Sequence, residues 1–404
     1  MALAVAAVAI LLLALRPPRV PAWLWPIAGA AFLIVTGAEP LPSAAVAVAR
    51  QWNILLFILG LMAISAAADR SGAFEWIGDL AVRQANGSRR RLFVMLFVAC
   101  CIVTLFLSND ATAIALTPIV YRAVYRGLPG FGKPYLLGCV FAANTASFGL
   151  PFSNPANVLI LPHPQLAAYL WHLGPAQIAA IAVTLGIFLF FFSRELQGHV
   201  EAPPWRAPSR RTILALGAFA AIVVAYVVAL LLHWPLGPIA LCGSLLTMAV
   251  AATPPIDVAK HISWKTLALL AALFVLLDAV VRGGFLAWTL AELDRALRYG
   301  NLATIAASAS GAALLSNCFN NLPIAVAAAY IVEHINVSQV AYPLIVGVDV
   351  GPNLVTTGSL ATILWMTTLR GYGVRIGLLD YIRLGLLVVP ATIAVSVVWL
   401  WLSG

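Results

Sequence analysis

The sequence predicts an all-α polytopic membrane protein of two inverted repeats, each with a re-entrant hairpin and an interrupted helix, about ten spans besides the hairpins. Three observations predict it. Of 404 residues, 63% are hydrophobic and only 9% charged, too little charge to cover a soluble surface. Apolar stretches of spanning length recur from end to end. Two polar strings, "LFLSNDATAIALTP" (Leu105 to Pro118) and "LLSNCFNNLP" (Leu314 to Pro323), interrupt runs otherwise fit for lipid.

The first apolar run, 2–15, has no basic residue before it and no small-residue cleavage site, so it reads as a retained helix rather than a signal peptide. Further apolar runs cover approximately 22–38, 52–69, 92–107, 111–126, 134–147, 157–162, 170–193, 212–232, 236–252, 264–281, 302–316, 324–334, 340–350, 359–369 and 381–403. A crossing needs about twenty residues. The runs 92–107, 111–126, 302–316 and 324–334 fall short and flank the two polar strings, so they read as hairpins that enter and leave by one face. Non-helical backbone at that depth survives only inside protein or beside a wet cavity.

The polar stretch "SRELQGHVEAPPWRAPSRR", 193–211, reads as a cytoplasmic linker between halves. Before it lie N-terminal helices at 1–49 and repeat 1 at 50–192. After it come repeat 2 with its leading helices at 212–370 and a C-terminal helix at 371–404. A shift of 212 places Trp52 on Trp264 and Arg70 on Arg282. A shift of 205 places Asn144 on Asp349, Asn154 on Ser359 and Asn157 on Thr362. Both copies carry an "LSN" string, at Leu107-Ser108-Asn109 and Leu315-Ser316-Asn317. The excess of Lys and Arg, net +9, sets orientation rather than nucleic-acid binding. With Arg16 and Arg19 cytoplasmic, the N-terminus is periplasmic. Arg122 and Lys133 then fall inside and Arg282 outside, and the two hairpins enter from opposite faces. Such an architecture belongs to secondary transporters, whose site lies near the midplane between repeats.

Each half carries two breaks. Gly149, Pro151, Pro155, Gly351, Pro352 and Gly358 unwind helix there and free backbone groups. Candidate solute-binding residues are Ser108, Asn109, Asn144, Ser153, Asn154, Asn157, Ser316, Asn317, Asn320, Asn321, Thr357 and Ser359, whose amides and hydroxyls both donate and accept. They suit a small polar solute, uncharged or singly charged. Asp110 and Asp349 are candidates for proton coupling, because an ionised carboxylate at the midplane is costly. Their alternative role is to cap a half-helix N-terminus. Asp278 is a weaker coupling candidate, and Asp69, beside Arg70, reads as interfacial. The six histidines fall at loop or helix ends and suggest no metal site. Cys100, Cys101, Cys139, Cys242 and Cys318 sit in apolar segments as small hydrophobes, without disulfide or zinc spacing. No phosphate loop is present, so the chain is not itself an ATPase, and no cofactor is implied.

"SNDATAIALTPIV", "SNCFNNLP", "NTASFGLPFSNPANVLI" and "VDVGPNLVTTGSLATILW" together resemble the bacterial arsenite efflux permease (arsenical pump membrane protein) family of the ion-transporter superfamily, over about residues 50 to 370. The resemblance implies export of arsenite or antimonite as a neutral trihydroxide in exchange for protons, across the bacterial inner membrane. In some members a soluble ATPase subunit is the partner. It also makes Cys318 a candidate ligand for trivalent arsenic, although a lone thiol is more often packing. Many members carry Lys after the GP pair where this chain has Asn353, so the resemblance implies no fixed positive charge there. The alternatives are a sodium/proton antiporter of the same superfamily, a dicarboxylate carrier, a channel and an intramembrane enzyme. The absence of Arg or Lys from the four breaks weighs against a dicarboxylate.

Overall fold

A computed structural model describes residues 2–15, 20–21, 23–127, 132–200, 207–282, 300–333 and 337–404. Arg16 and Arg19, on which the orientation leans, lie outside them. Among the described residues every named element is helical. Six helices of the described residues are long and apolar enough to cross a bilayer: Trp52–Arg70, Leu166–Phe191, Arg210–Leu231, Trp264–Arg282, Asn301–Phe319 and Leu378–Ser403. The protein is an all-α polytopic membrane protein. The first and fourth of these helices open on Trp and close on Arg, residues that favour the two edges of a bilayer.

Helix bounds recur along the chain. Trp52–Arg70 and Trp264–Arg282 have 19 residues each and start 212 apart; Leu166–Phe191 and Leu378–Ser403 have 26 each at the same offset. Arg89 and Asn301, again 212 apart, open corresponding helices. So do Leu24 and Leu236, which carries the recurrence beyond 50–192 and 212–370 to the leading helices and the last one. Packing crosses between the copies. Leu236–Ala251 lies against Trp52–Arg70, and Leu24–Val35 lies against Trp264–Arg282. At the first crossing a Cβ on Gly60 would stand 2.5 Å from the Ala240 carbonyl carbon, so only glycine admits that approach.

The structure differs from the sequence expectation in four respects. Helices Leu41–Arg50, Ala73–Gln84 and Pro255–His261 were not anticipated. They have 12 residues or fewer, so a search for long apolar runs passes over them; Pro near the start of two of them sets the first turn. The first arm of the second hairpin, Asn301–Phe319, has 19 residues rather than a truncated run, about 28 Å at 1.5 Å per residue. Its length alone does not stop it short of a full crossing, whereas the return arm Asn321–Glu333 has 13. Cys242 and Cys318 are exposed on outward helix faces rather than packed like the buried Cys100, Cys101 and Cys139. His172 lies inside Leu166–Phe191, with Nδ1 2.9 Å from Ser403 Oγ.

Candidate functional site

The two interrupted helices break in the same way. Lys133–Thr145 stops, the chain turns through Pro151–Ser153, and helix resumes at Pro155–Ile160. Val337–Val350 stops, turns through Gly351–Asn353, and resumes at Leu360–Gly371. Each resumption is capped by a side chain. Asn154 Oδ1 accepts from the Ala156 amide at 3.0 Å, and Ser359 Oγ from the Thr362 amide at 3.1 Å. Carbonyls freed by the breaks are taken up by tyrosines: Tyr169 donates to Phe148 O at 2.9 Å and Tyr381 to Pro352 O at 3.0 Å. The sequence reading missed both tyrosines, although the 212 offset that pairs the tryptophans also pairs them.

The breaks meet in a buried polar network. Asp349 accepts from Ser147 Oγ at 2.9 Å and from Asn154 Nδ2 at 2.6 Å. Asn144 donates to Asn353 Oδ1 and Thr362 Oγ1, both at 3.1 Å, and accepts from Ser359 Oγ at 3.2 Å. Asn353 donates to Thr145 Oγ1 at 3.0 Å, and Asn157 Nδ2 to Ser147 O at 2.7 Å. Ser153 turns inward, donating to Leu150 O at 2.7 Å. Asn144, Ser147, Ser153, Asn157, Asn353, Ser359 and Thr362 are all fully buried, and Asp349 is 1% exposed. Asp349 is not an N-cap. It sits in the last turn of Val337–Val350, where the helix dipole disfavours a carboxylate, and the two donors compensate. Ser147, Asn353 and Thr362 complete a network that sequence alone places at unrelated positions.

The hairpin tips correct the register taken from the "LSN" strings. In the first, Ser108 is extended and caps the next turn, its Oγ accepting from Ala111 N at 3.1 Å. In the second, the break comes at Asn320, whose φ is +75°, and its Oδ1 accepts from Leu322 N at 3.3 Å. Ser108 therefore corresponds to Asn320 and Asn109 to Asn321, at the offset of 212, while Ser316 and Asn317 lie a turn earlier inside Asn301–Phe319. Asp110 does not cap either, since Ser108 holds that place, and Asp110 has no acidic counterpart: Leu322 stands there. The second tip binds its own break. Asn317 Nδ2 donates to Gly351 O at 2.8 Å, Asn317 Oδ1 accepts from Val355 N at 3.0 Å, and the Asn321 backbone N–H donates to Gly358 O at 2.8 Å. Asn320 Nδ2 donates to Thr357 O at 3.4 Å.

Each hairpin also packs on the other copy's resumed helix. The first tip lies on Leu360–Gly371, and Asn321–Glu333 lies on Pro155–Ile160. Ser108 and Asp110 meet the first break through Pro155, with which they line a cavity of about 100 Å³. Of the anticipated site residues only these two line it, beside Ser65, Asp69, His261 and Ser263 on a largely apolar wall. Asn144, Asn154 and Asn157 sit instead in the closed network, and Asn109 stays at its own tip, its Oδ1 accepting from Asp110 N at 2.9 Å. Three buried oxygens of the anticipated residues find no hydrogen-bond partner among the described residues: Asn157 Oδ1, Ser316 Oγ and Asn321 Oδ1. Neither the cavity wall nor the four breaks carries Lys or Arg. The cavity is a carboxylate-bearing pocket at a hairpin tip, suited to a neutral solute or a cation and hostile to a polyanion.

Comparison with known proteins follows this geometry. A family profile described as CitMHS, citrate transporter, matches residues 1–351. The chain is 28% identical over 358 residues to a Yersinia enterocolitica protein named arsenical pump membrane protein, covering 83% of each chain. It is 27% identical over 384 residues to an Escherichia coli K12 protein of the same name, covering 89% of this chain and 88% of that one. The crystal structure of the Alcanivorax borkumensis YdaH transporter, described as having an unusual topology, superposes with a TM-score of 0.55 at 15% identity, over 91% of this chain and 85% of that one. That likeness concerns the fold.

Proposed function

The chain belongs to the CitMHS citrate-transporter family, and from that membership we propose that it is a proton-coupled secondary transporter exporting arsenite or antimonite, as the neutral trihydroxide, across the bacterial inner membrane. It is a membrane transporter of the CitMHS and arsenical-pump type. The observation that carries the finer reading is the cavity at the first hairpin tip, which Ser108 and Asp110 line and whose wall contains no Lys or Arg. Citrate at neutral pH is a polyanion and would meet the Asp110 carboxylate there. A trihydroxide has three donors, three acceptors and no charge, and the relatives named for arsenical pumping support it.

Two inverted repeats with tips meeting at the midplane belong to the same proposal, supported by the recurring helix bounds and the crossed packing. The ion pairs agree with the orientation expected from charge. Arg122 pairs with Glu75 and Lys133 with Asp380 on one side, while Arg282 pairs with Glu39 and Asp278 on the other. Asp278 is thereby occupied by an ion pair, which leaves Asp110 as the leading coupling group. The decisive experiment is metalloid uptake by everted vesicles with and without a proton gradient. Uptake that collapses with the gradient supports the proposal. Sodium-driven proton flux without any metalloid effect would overturn it in favour of a sodium/proton antiporter, a reading that the Asp110 carboxylate in the cavity wall also supports.

A further inference from the structure

The cavity has a composition that solute binding alone does not explain. It is lined by Ser108 and Asp110 from the hairpin tip, which are buried and half-buried, and by Asp69 and His261. These last two close the helices Trp52–Arg70 and Pro255–His261, and both are exposed. Ser65 and Ser263 add hydroxyls to the wall. A space of about 100 Å³ exceeds several-fold the roughly 10–15 Å³ that holds one water, and hydroxyls and carboxylates supply the partners a water needs. His261 Nδ1 lies 2.8 Å from Asp257 O. A carbonyl can only accept, so Nδ1 carries the hydrogen and proton exchange falls to Nε2. The charged groups nearby are already matched: Asp257 pairs with Arg70 and Lys260, and Glu75 with Arg122. Neither Asp69 nor His261 takes part in a described ion pair.

We propose that this cavity is the water-filled proton entry to Asp110, loaded at its mouth by His261 and Asp69. A proton captured from bulk by His261 Nε2 or the Asp69 carboxylate passes along the enclosed waters to the Asp110 carboxylate, and the donor is reprotonated from bulk. His261 and Asp69 are thus positioning residues for the proton and do not touch the solute. The proposal rests on Asp110 as the coupling group, and its test separates the two ideas.

Purified protein in liposomes with a trapped pH dye reports metalloid-driven proton flux between pH 6 and 8 on the cavity side. Asp69→Asn and His261→Gln should match wild type at pH 6, where protons are plentiful, and fall at least fivefold at pH 8, with metalloid affinity unchanged. Asp69→Glu should restore the wild-type profile. Hydroxyl-radical footprinting of the wild-type protein should oxidise Met62, which lines the cavity from within the span. A wild-type pH profile in both variants, or an unoxidised Met62, would overturn the entry path and leave the coupling reading standing. Full flux in Asp110→Asn, or none in wild type, would remove the coupling reading and the entry path with it.

Discussion

Asn154 Nδ2 donates to Asp349 Oδ1 at 2.6 Å, and their counterparts 205 residues away, Ser359 and Asn144, make the matching bond at 3.2 Å. Each cap residue thus reaches across to the residue that ends the helix of the other copy. The copies are tied by reciprocal bonds, and only one of the two acceptors is a carboxylate. Replacing Asp349 by Ala should leave the Asn154 donor unpaired in a buried site, at about 1–3 kcal/mol, while the Ser147 hydroxyl can turn to Asn144 O at 2.8 Å. Asp349→Asn keeps one acceptor oxygen and should lose less. Thermal unfolding in detergent would rank them wild type, Asn, Ala; an Ala variant as stable as wild type would show that the network does not hold the breaks together.

A pair of equivalent arginines gives a second contrast. Arg70 and Arg282 end the two 19-residue helices, and each pairs with acids. Arg70 and its partner Asp257 keep 45% and 25% of their side-chain exposure, while Glu39, opposite Arg282, keeps 1%. Arg70→Met should therefore cost no more than about 1 kcal/mol, and Arg282→Met about 1–3 kcal/mol, because it strands a buried carboxylate. Equal melting temperatures for the two variants would contradict this reading of Glu39.

The same residue gives a pH dependence. Glu39 lies in the loop between Leu24–Val35 and Leu41–Arg50, where burial raises its carboxyl above the ordinary range, Arg282 draws it back and Asp278 adds to the rise. A carboxyl raised on folding stabilises fully below its unfolded value of about 4.3 and loses that contribution as pH climbs through the folded value. Removing Arg282 raises it further. The deficit of Arg282→Met should then be largest at neutral pH and shrink on acidification toward pH 4, as Glu39 takes up a proton. A deficit constant across that range would mean that Glu39 stays ionised throughout.

What the sequence made legible follows from repetition and hydropathy. Trp52 and Trp264 do open helices of equal length, and Asn154 and Ser359 do occupy equivalent caps. The hairpin register was misread because "LSN" recurs as a string, while the backbone breaks at Asn320, where the chain takes a positive φ. The amide cluster was read as a cavity wall, but Asn144 and Asn154 face one another's partners across the copies and close the space. No periodicity reveals which distant side chains will meet. Asp69 and His261 escaped for a related reason: each looks like an ordinary interfacial residue until two helix ends bring them to one opening.

A Ser108→Ala variant tests the hairpin tip. Ser108 Oγ satisfies the Ala111 amide where the first tip resumes helix, and loss of such a cap costs about 0.5–2 kcal/mol. Because the tip carries Asp110 into the cavity, transport should fall several-fold, and Ser108→Thr should recover most of the rate. Unaltered transport in the Ala variant would mean that another contact positions Asp110.

Asp110 itself carries the coupling prediction. An exchanger must not return empty unless protonated, so one group at the solute site has to hold a proton only when the solute is absent. Asp349 is less suited to this than the sequence suggests, because two donors fix its carboxylate away from the cavity. Asp110 lines the cavity, and its place as a cap is taken by Ser108. Asp110→Asn keeps the shape and the polar contacts of the side chain but cannot titrate. It should bind metalloid nearly as wild type does and lose uphill, proton-driven extrusion, while Asp349→Asn should weaken extrusion less. The measurement is proton flux in vesicles on metalloid addition, alongside metalloid binding to the purified variants. Proton flux undiminished in both variants would place the coupling proton on another group. Flux lost in Asp349→Asn but kept in Asp110→Asn would move the coupling site from the cavity into the buried network.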